Sequence, residues 1–340
     1  MPRPQHILVI RLSAMGDVAM TVPVIRAFVS QYPDVKITVL TRSFFKPFFR
    51  EIPNISIFEA DLKGKHKGLL GLWKLSKELK HIGFDAVADL HNVLRTKILK
   101  LFFFGSKVVQ IDKGRAEKKA LVTGQKFQQL RSTHQRYADV FEKLGFPVAL
   151  SNPHFPERVA LGSVLSKILG KDSKKWIGIA PFAAFSGKMY PIDLMEAVID
   201  ELSHTYKIML FGAGQEEILL IKKLIKGNPN IINLAGELHF SEELDIISNL
   251  DLMVAMDSGN AHIAAILGVE VVTLWGVTHP YAGFYPFNQE RSNAILADRN
   301  QFPQIPTSIY GNTYPSGYDK AMRSISPSQV VNKVNAVLNK

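Results

Sequence analysis

The chain has 340 residues, 46% hydrophobic and 21% charged, which suits folded domains and excludes an extended disordered chain. It contains no cysteine, so disulfides, thiolate metal sites and thiol nucleophiles are excluded. The formal charge is +11: residues 1–150 carry 25 Lys and Arg against 12 Asp and Glu (net +13), and residues 151–340 carry 16 against 18 (net −2). So one-sided an excess implies an anionic partner for the first half.

At the amino terminus the apolar run is only five residues and Arg11 ends it, so it does not read as a signal peptide. Residues 6–10 read as the first strand, followed by the tight loop RLSAMGD. A helix then starts at Val18 or Thr21 and runs to Gln31. Starting at Thr21 keeps Pro23 in the first turn, where its missing N–H costs little. Further strands are expected at 36–41, 55–60, 85–91 and 107–112. Helices are expected over 69–83, with Leu69, Leu72, Trp73, Leu75 and Leu79 on or near one face, and over 92–103. This alternation predicts a doubly wound parallel sheet.

The polar, proline-bearing stretch 151–175, ending in the Lys/Ser-rich residues Lys171 to Lys175, marks a domain boundary. The alternation then restarts: strands at 176–182, 207–214, 230–236, 252–256 and 269–276, and helices at 191–204, 215–227, 241–249 and 261–267. A loop-rich stretch follows Gly276, and a capped helix closes the chain at 326–340. The fold class is therefore α/β, with two doubly wound Rossmann-like domains.

The sequence lacks the Walker loop, GxSxG, HExxH, GxGxxG and zinc-site spacings. Four features remain, each on a strand-to-helix loop. Ser13 to Asp17 places a carboxylate after the first strand. Ser186, Gly187 and Lys188 follow the first strand of the second domain. Glu216 follows the Gly212/Gly214 turn. Asp257, Ser258, Gly259 and Asn260, with His262, follow a later strand. Taken singly, each has a plain structural reading as a helix cap, a solvated charge or a core histidine. In doubly wound sheets, however, such loops gather at one edge, where ligands bind. A carboxylate can take a proton from an attacking hydroxyl, and a lysine with backbone N–H groups can stabilise a departing diphosphate. Together these suit transfer of a group from an activated diphosphate to an alcohol.

Residues 10–28 (IRLSAMGDVAMTVPVIRAF), 181–191 (PFAAFSGKMYP) and 256–280 (MDSGNAHIAAILGVEVVTLWGVTHP) resemble, in order and spacing, the ADP-heptose:lipopolysaccharide heptosyltransferases of glycosyltransferase family 9. The resemblance implies a GT-B fold, its domains facing across a cleft. Residues 1–160 would bind the acceptor and 173–325 the sugar nucleotide, and helix 326–340 could return toward the first domain. It implies inverting, metal-independent transfer of a heptose from ADP-heptose to the Kdo/heptose inner core, with no cofactor.

By position, Asp17 is then the base and Lys188 the diphosphate clamp. Glu216 would bind the ribose, Leu238 would lie against the adenine, and Asp257, Ser258, Gly259, Asn260 and His262 would form the nucleotide–sugar turn. Ser186 or backbone would replace the threonines some relatives have at Ala183 and Ala184. Ser13, Gly16, Lys63, Lys65, Lys67, Arg95, Arg115, Lys118 and Lys119 fall where the family binds its anionic acceptor, a Kdo-bearing lipid A. The implied setting is the cytoplasmic side of a Gram-negative inner membrane, held by peripheral contact, with no nucleic-acid partner. Competing readings are a transferase for another sugar nucleotide or acceptor, and a non-catalytic sugar-nucleotide- or RNA-binding protein.

Overall fold

The computed structural model describes residues 3–163, 173–225 and 227–340. Lys171, in the boundary stretch, and Lys226, in the helix expected over 215–227, lie outside them. The chain forms two units, Met1–Lys113 with Arg131–His154, and Gly114–Leu130 with Phe155–Lys340.

In the first unit β1 (His6–Ile10), β2 (Lys36–Thr41), β3 (Ile55–Glu59), β4 (Ala86–Asp89) and β5 (Lys107–Gln110) form a parallel sheet in the order β3-β2-β1-β4-β5. The central β1 is apolar throughout its buried part because it is covered on both faces. Ile10 pairs with Leu40 on one side and Asp89 on the other. α1 (Met15–Ala19) and α2 (Thr21–Gln31) are separate helices that meet at Met20. The Thr21 start thus holds, with Pro23 in the first turn, and residues 15–19 add a short helix of their own.

α3 (Gly68–Lys80) and α4 (Leu94–Leu101) pack side by side on one face of the sheet, contributing Leu72, Leu75, Leu79 and Leu99 to its core. The expected stripe on α3 is corrected here. Leu69 and Trp73 are exposed, since the sheet covers only the arc carrying Leu72, Leu75, Ser76 and Leu79. α6 (Thr133–Leu144) pairs with α2, and Phe28 meets Phe141 at a centroid distance of 4.7 Å. Its signals are present in the sequence: Ser132 Oγ accepts from Gln135 N, and Gly145 stops the helix at φ 104°.

In the second unit β6 (Trp176–Ala180), β7 (Lys207–Leu210), β8 (Ile231–Asn233), β9 (Leu252–Met256), β10 (Glu270–Trp275) and β11 (Ala294–Leu296) form a parallel sheet in the order β11-β10-β9-β6-β7-β8. α7 (Ile192–Ser203), α8 (Gln215–Leu224) and α11 (Pro327–Leu338) bury Met195, Ile199, Ile221, Val330 and Val334 in one core. α11 packs on α7, so its apolar face is spent on this unit. α9 (Phe240–Ser248) and α10 (Gly259–Ile266) pack against each other. The short β11 lies inside the region expected to be loop, paired to β10 with Thr273 opposite Ala294.

α5 (Arg115–Val122) belongs to the second unit. Leu121 and Leu130 pack with Ala282, Leu130 N donates to Tyr281 O at 2.9 Å, and Lys118 Nζ lies 4.0 Å from the Phe284 ring centre.

Candidate active site

Each sheet reverses its winding between two adjacent strands, β1 and β4 in the first and β6 and β9 in the second. The loops leaving such a pair diverge, opening a crevice at the carboxyl edge. Of the sequence-predicted residues, Ser13, Gly16, Asp17 and Arg95 lie on loops or helix starts at the first of these places, and Ser186, Gly187, Lys188, Asp257, Ser258, Gly259, Asn260 and His262 at the second.

In the first unit, Asp17 sits in the first turn of α1, directly after β1. Arg11, the residue that ends the apolar run of β1, points its guanidinium at it, with Nη2 2.6 Å from Oδ2. The arginine side chain is 7% exposed and that of Asp17 31%, so the pair has a buried cation and an accessible carboxylate. Arg11 is fixed from behind, for Nη1 donates to Leu90 O at 2.7 Å and the guanidinium lies 5.9 Å from the Tyr137 ring centre. The Tyr137 hydroxyl donates to Asp17 O at 3.3 Å, and burial raises its phenol well above the ordinary value.

From the β4 side of the reversal, His91 Nε2 reaches Ser13 Oγ at 3.4 Å. Burial pushes this imidazole down to about 4, with Arg11 and Lys113 adding like charge. Below it Asp89 is fully buried. It accepts from His91 N, Asn92 N and Thr96 Oγ1 and pairs with Lys100 Nζ at 2.7 Å, which holds the β4–α4 loop.

In the second unit, Ser186–Lys188 form a single 3-10 turn after β6. Lys188 Nζ lies 2.8 Å from Asp257 Oδ2, across the reversal from β9, and the two side chains are 15% and 7% exposed. Asp257 is therefore not the helix cap. Ser258 occupies that position without a side-chain capping bond, and its buried Oγ has no hydrogen-bond partner among the described residues.

Gly187 is pinned where no side chain fits. An added Cβ would come within 2.6 Å of Gly311 O and of Val277 Cγ2, while Gly187 O accepts from Val277 N at 3.0 Å. Gly311, at φ 78°, in turn lies against the Lys188 side chain. The lysine is thus held by a loop more than a hundred residues away. Ser186 Oγ is 2.9 Å from the Tyr314 hydroxyl in that loop.

Gly16 is half-buried in α1, and Gly259 and Asn260 are half-buried in the first turn of α10, on which His262 is buried. Glu216 is exposed in the first turn of α8, where its neighbour Glu217 caps the turn by accepting from Ala213 N at 2.8 Å. Leu238 is half-buried between β8 and α9.

Lys63, Lys65, Lys67 and Arg95 are exposed in the first unit, Lys65 paired with Glu78 at 2.8 Å. Arg115, Lys118 and Lys119 lie on α5, in the second unit. Arg11, His91, Tyr137, Gly311 and Tyr314 were not singled out from the sequence. Only Arg11 carried a local signal, a lone cation at the end of a buried strand.

The fold matches that of solved family 9 transferases of the GT-B class. The glycosyl transferase family 9 protein of Veillonella parvula superposes with a TM-score of 0.77 at 22% identity, covering 98% of this chain and 97% of that one. The ADP-heptose lps heptosyltransferase II of E. coli superposes with 0.71 at 19%, covering 98% of each. By sequence, the lipopolysaccharide core heptosyltransferase OpsX of Haemophilus influenzae is 26% identical, over 82% of this chain and 80% of that protein. The model of glycosyltransferase family 9 (heptosyltransferase) matches residues 72–313, and the chain belongs to that family. It is an enzyme, a glycosyltransferase.

Proposed function

We propose that this enzyme transfers a heptose from ADP-heptose to the inner core of lipopolysaccharide, by one inverting displacement with Asp17 as base and without a metal. The observation that carries the proposal is Asp17 itself, an accessible carboxylate at the winding reversal of the basic unit, its Oδ2 held by a buried arginine. With Oδ2 engaged, Oδ1 is the oxygen presented to an acceptor hydroxyl. As that hydroxyl oxygen attacks the anomeric carbon, its proton passes to Asp17. The bond from the anomeric carbon to the β-phosphate oxygen breaks on the opposite face, and ADP leaves with the electron pair. Lys188, Ser258 and the amides opening α10 receive the developing negative charge. The donor name comes from the relatives: the E. coli structure is that of an ADP-heptose enzyme, and OpsX is a core heptosyltransferase. On this reading Glu216 contacts the ribose and Leu238 the adenine, while Lys63, Lys67 and Arg95 take the acid groups of a Kdo-bearing lipid A. The enzyme works on the cytoplasmic side of a Gram-negative inner membrane by peripheral contact.

The test is nucleotide release from a panel of ADP- and UDP-sugars with lipid A–Kdo acceptors. Release of ADP from ADP-heptose only when acceptor is present is expected. Turnover with UDP-sugars instead would overturn the donor assignment.

A further inference from the structure

Folding leaves an unusual surface on the first unit. Leu69, Leu70 and Trp73 on α3, Leu94 and Leu101 on α4, and Phe104 just beyond it are 46% to 97% exposed. On α3 they fill the outer arc opposite Leu72, Leu75 and Leu79, and Lys74, Lys77 and Lys80 share that arc. On α4, Leu94, Lys97 and Leu101 recur at three- and four-residue spacing on the side away from Thr96 and Leu99. The two helices lie side by side on one face of the sheet, so both outer arcs look the same way, outward from it.

The surroundings are of one sign. No Asp or Glu occurs from residue 62 to 77 or from 90 to 111. The nearest acids are already engaged: Asp61 by the amides of Gly64 and Lys65, and Glu78 by Lys65 Nζ. Lys77 Nζ sits 3.7 Å from the Trp73 ring centre, so cation and aromatic stand together at the surface. Apolar side chains amid lysines, with an indole among them, are what a helix lying in a lipid headgroup layer presents. A protein partner would be expected to supply acids to the lysines, and a second copy of this face would set lysine against lysine.

We propose that the outward face of the α3–α4 pair docks on an anionic bilayer. This rests on the reading that the acceptor is lipid-borne. Parallel strands put the first turns of α3 and α4 at the carboxyl edge of the sheet, the edge that also carries Asp17. Leu69, Leu70 and Leu94 therefore seat in the headgroups at the end of the sheet where the base waits. A lipid acceptor then needs to rise only by its own headgroup to reach that edge.

The experiment is sedimentation of the full chain with phosphatidylcholine vesicles, with and without phosphatidylglycerol. Wild type should sediment with the phosphatidylglycerol vesicles only, and less so as salt is raised. Leu69→Ser/Leu70→Ser/Trp73→Ser should weaken binding by about tenfold or more. Transfer to a deacylated, water-soluble acceptor should stay at the wild-type rate. Lys74→Ser/Lys97→Ser should reduce the salt-sensitive part. Of the three tryptophans only Trp73 is exposed, so wild-type emission should shift to the blue on binding, which reads the same contact without a variant.

Wild type ignoring anionic vesicles, a triple variant binding as well as wild type, or an unshifted emission would overturn the proposal. So would a triple variant that loses self-association or soluble-acceptor activity instead. Vesicle binding uses neither donor nor acceptor, so its failure would leave the transferase reading standing, and inactivity on ADP-heptose would leave the docking result standing.

Discussion

Lys188 and Asp257 close a 2.8 Å ion pair between the loop after β6 and the loop after β9, the two strands at which the second sheet reverses. The pair joins residues 69 positions apart and is almost wholly buried. Removing either partner strands a charge with little water around it.

Lys188→Ala should therefore do two things. It should weaken ADP binding by roughly 1.5–3 kcal/mol, the range for hydrogen bonds to charged groups. It should also lower stability by about 3 kcal/mol, because Asp257 stays buried without its cation. Titration calorimetry with ADP and urea unfolding check the two effects. Equal dissociation constants would remove Lys188 from the donor site even if stability fell.

Asp17→Asn preserves shape and should lower kcat by roughly 10²–10⁴-fold, with a loss of stability of about 1–3 kcal/mol because the buried Arg11 then faces a neutral amide. Arg11→Gln leaves the carboxylate in place but unheld, and should lower kcat about tenfold while ADP affinity is kept. Steady-state kinetics on both variants separates base from holder. An Asp17→Asn enzyme with near-normal kcat would rule out this base.

Gly187→Ala adds a methyl group between Gly311 O and Val277, with no flexible side-chain end to give way on the backbone side. It should cost about 1–3 kcal/mol of stability. ADP affinity should fall with it, since the turn that carries Lys188 must shift. Thermal unfolding with and without ADP reads both effects.

His91 and His279 are held near 4 by burial, with neighbouring arginines adding to the effect, against an ordinary 6.5. Between those values the unfolded chain binds protons that the fold does not, so stability should fall as pH drops from about 6.5 toward 4. Glu243 works in the opposite sense. Burial raises it to about 7, so its contribution is fully present below about 4.5 and is lost as pH rises through 7. His91→Gln should flatten the acid limb in unfolding experiments at pH 7 and pH 5. An unchanged limb would mean that His91 protonates freely in the fold.

Lys63→Ser/Lys65→Ser/Lys67→Ser should raise the acceptor KM and its salt dependence should weaken, with ADP affinity kept, since these exposed charges act through solvent. Lys65 also loses its pair with Glu78, but an exposed pair contributes only about 0–1 kcal/mol, so folding should hold. Acceptor titrations at two ionic strengths test this. A wild-type KM and salt slope would confine acceptor binding to other cations, Arg95 first.

Hydrophobic periodicity by itself determined the α/β class, the two parallel sheets and most strand positions. A parallel strand must be apolar on both faces, and β1, β2 and β9 announce themselves by that alone. The loops bearing Asp17, Lys188 and Asp257 were legible because each follows such a strand. What the sequence could not supply was the partner across the sheet. Whether Asp257 caps a helix or meets Lys188 depends on β6 and β9 being neighbours, a long-range pairing with no local signature. The same holds for Gly311 against Lys188 and for Tyr137 behind Arg11. Spacing placed Leu69 and Trp73 near the apolar stripe of α3, but a sheet covers only one arc of a helix, and only the packed structure decided which side of that arc they fell on.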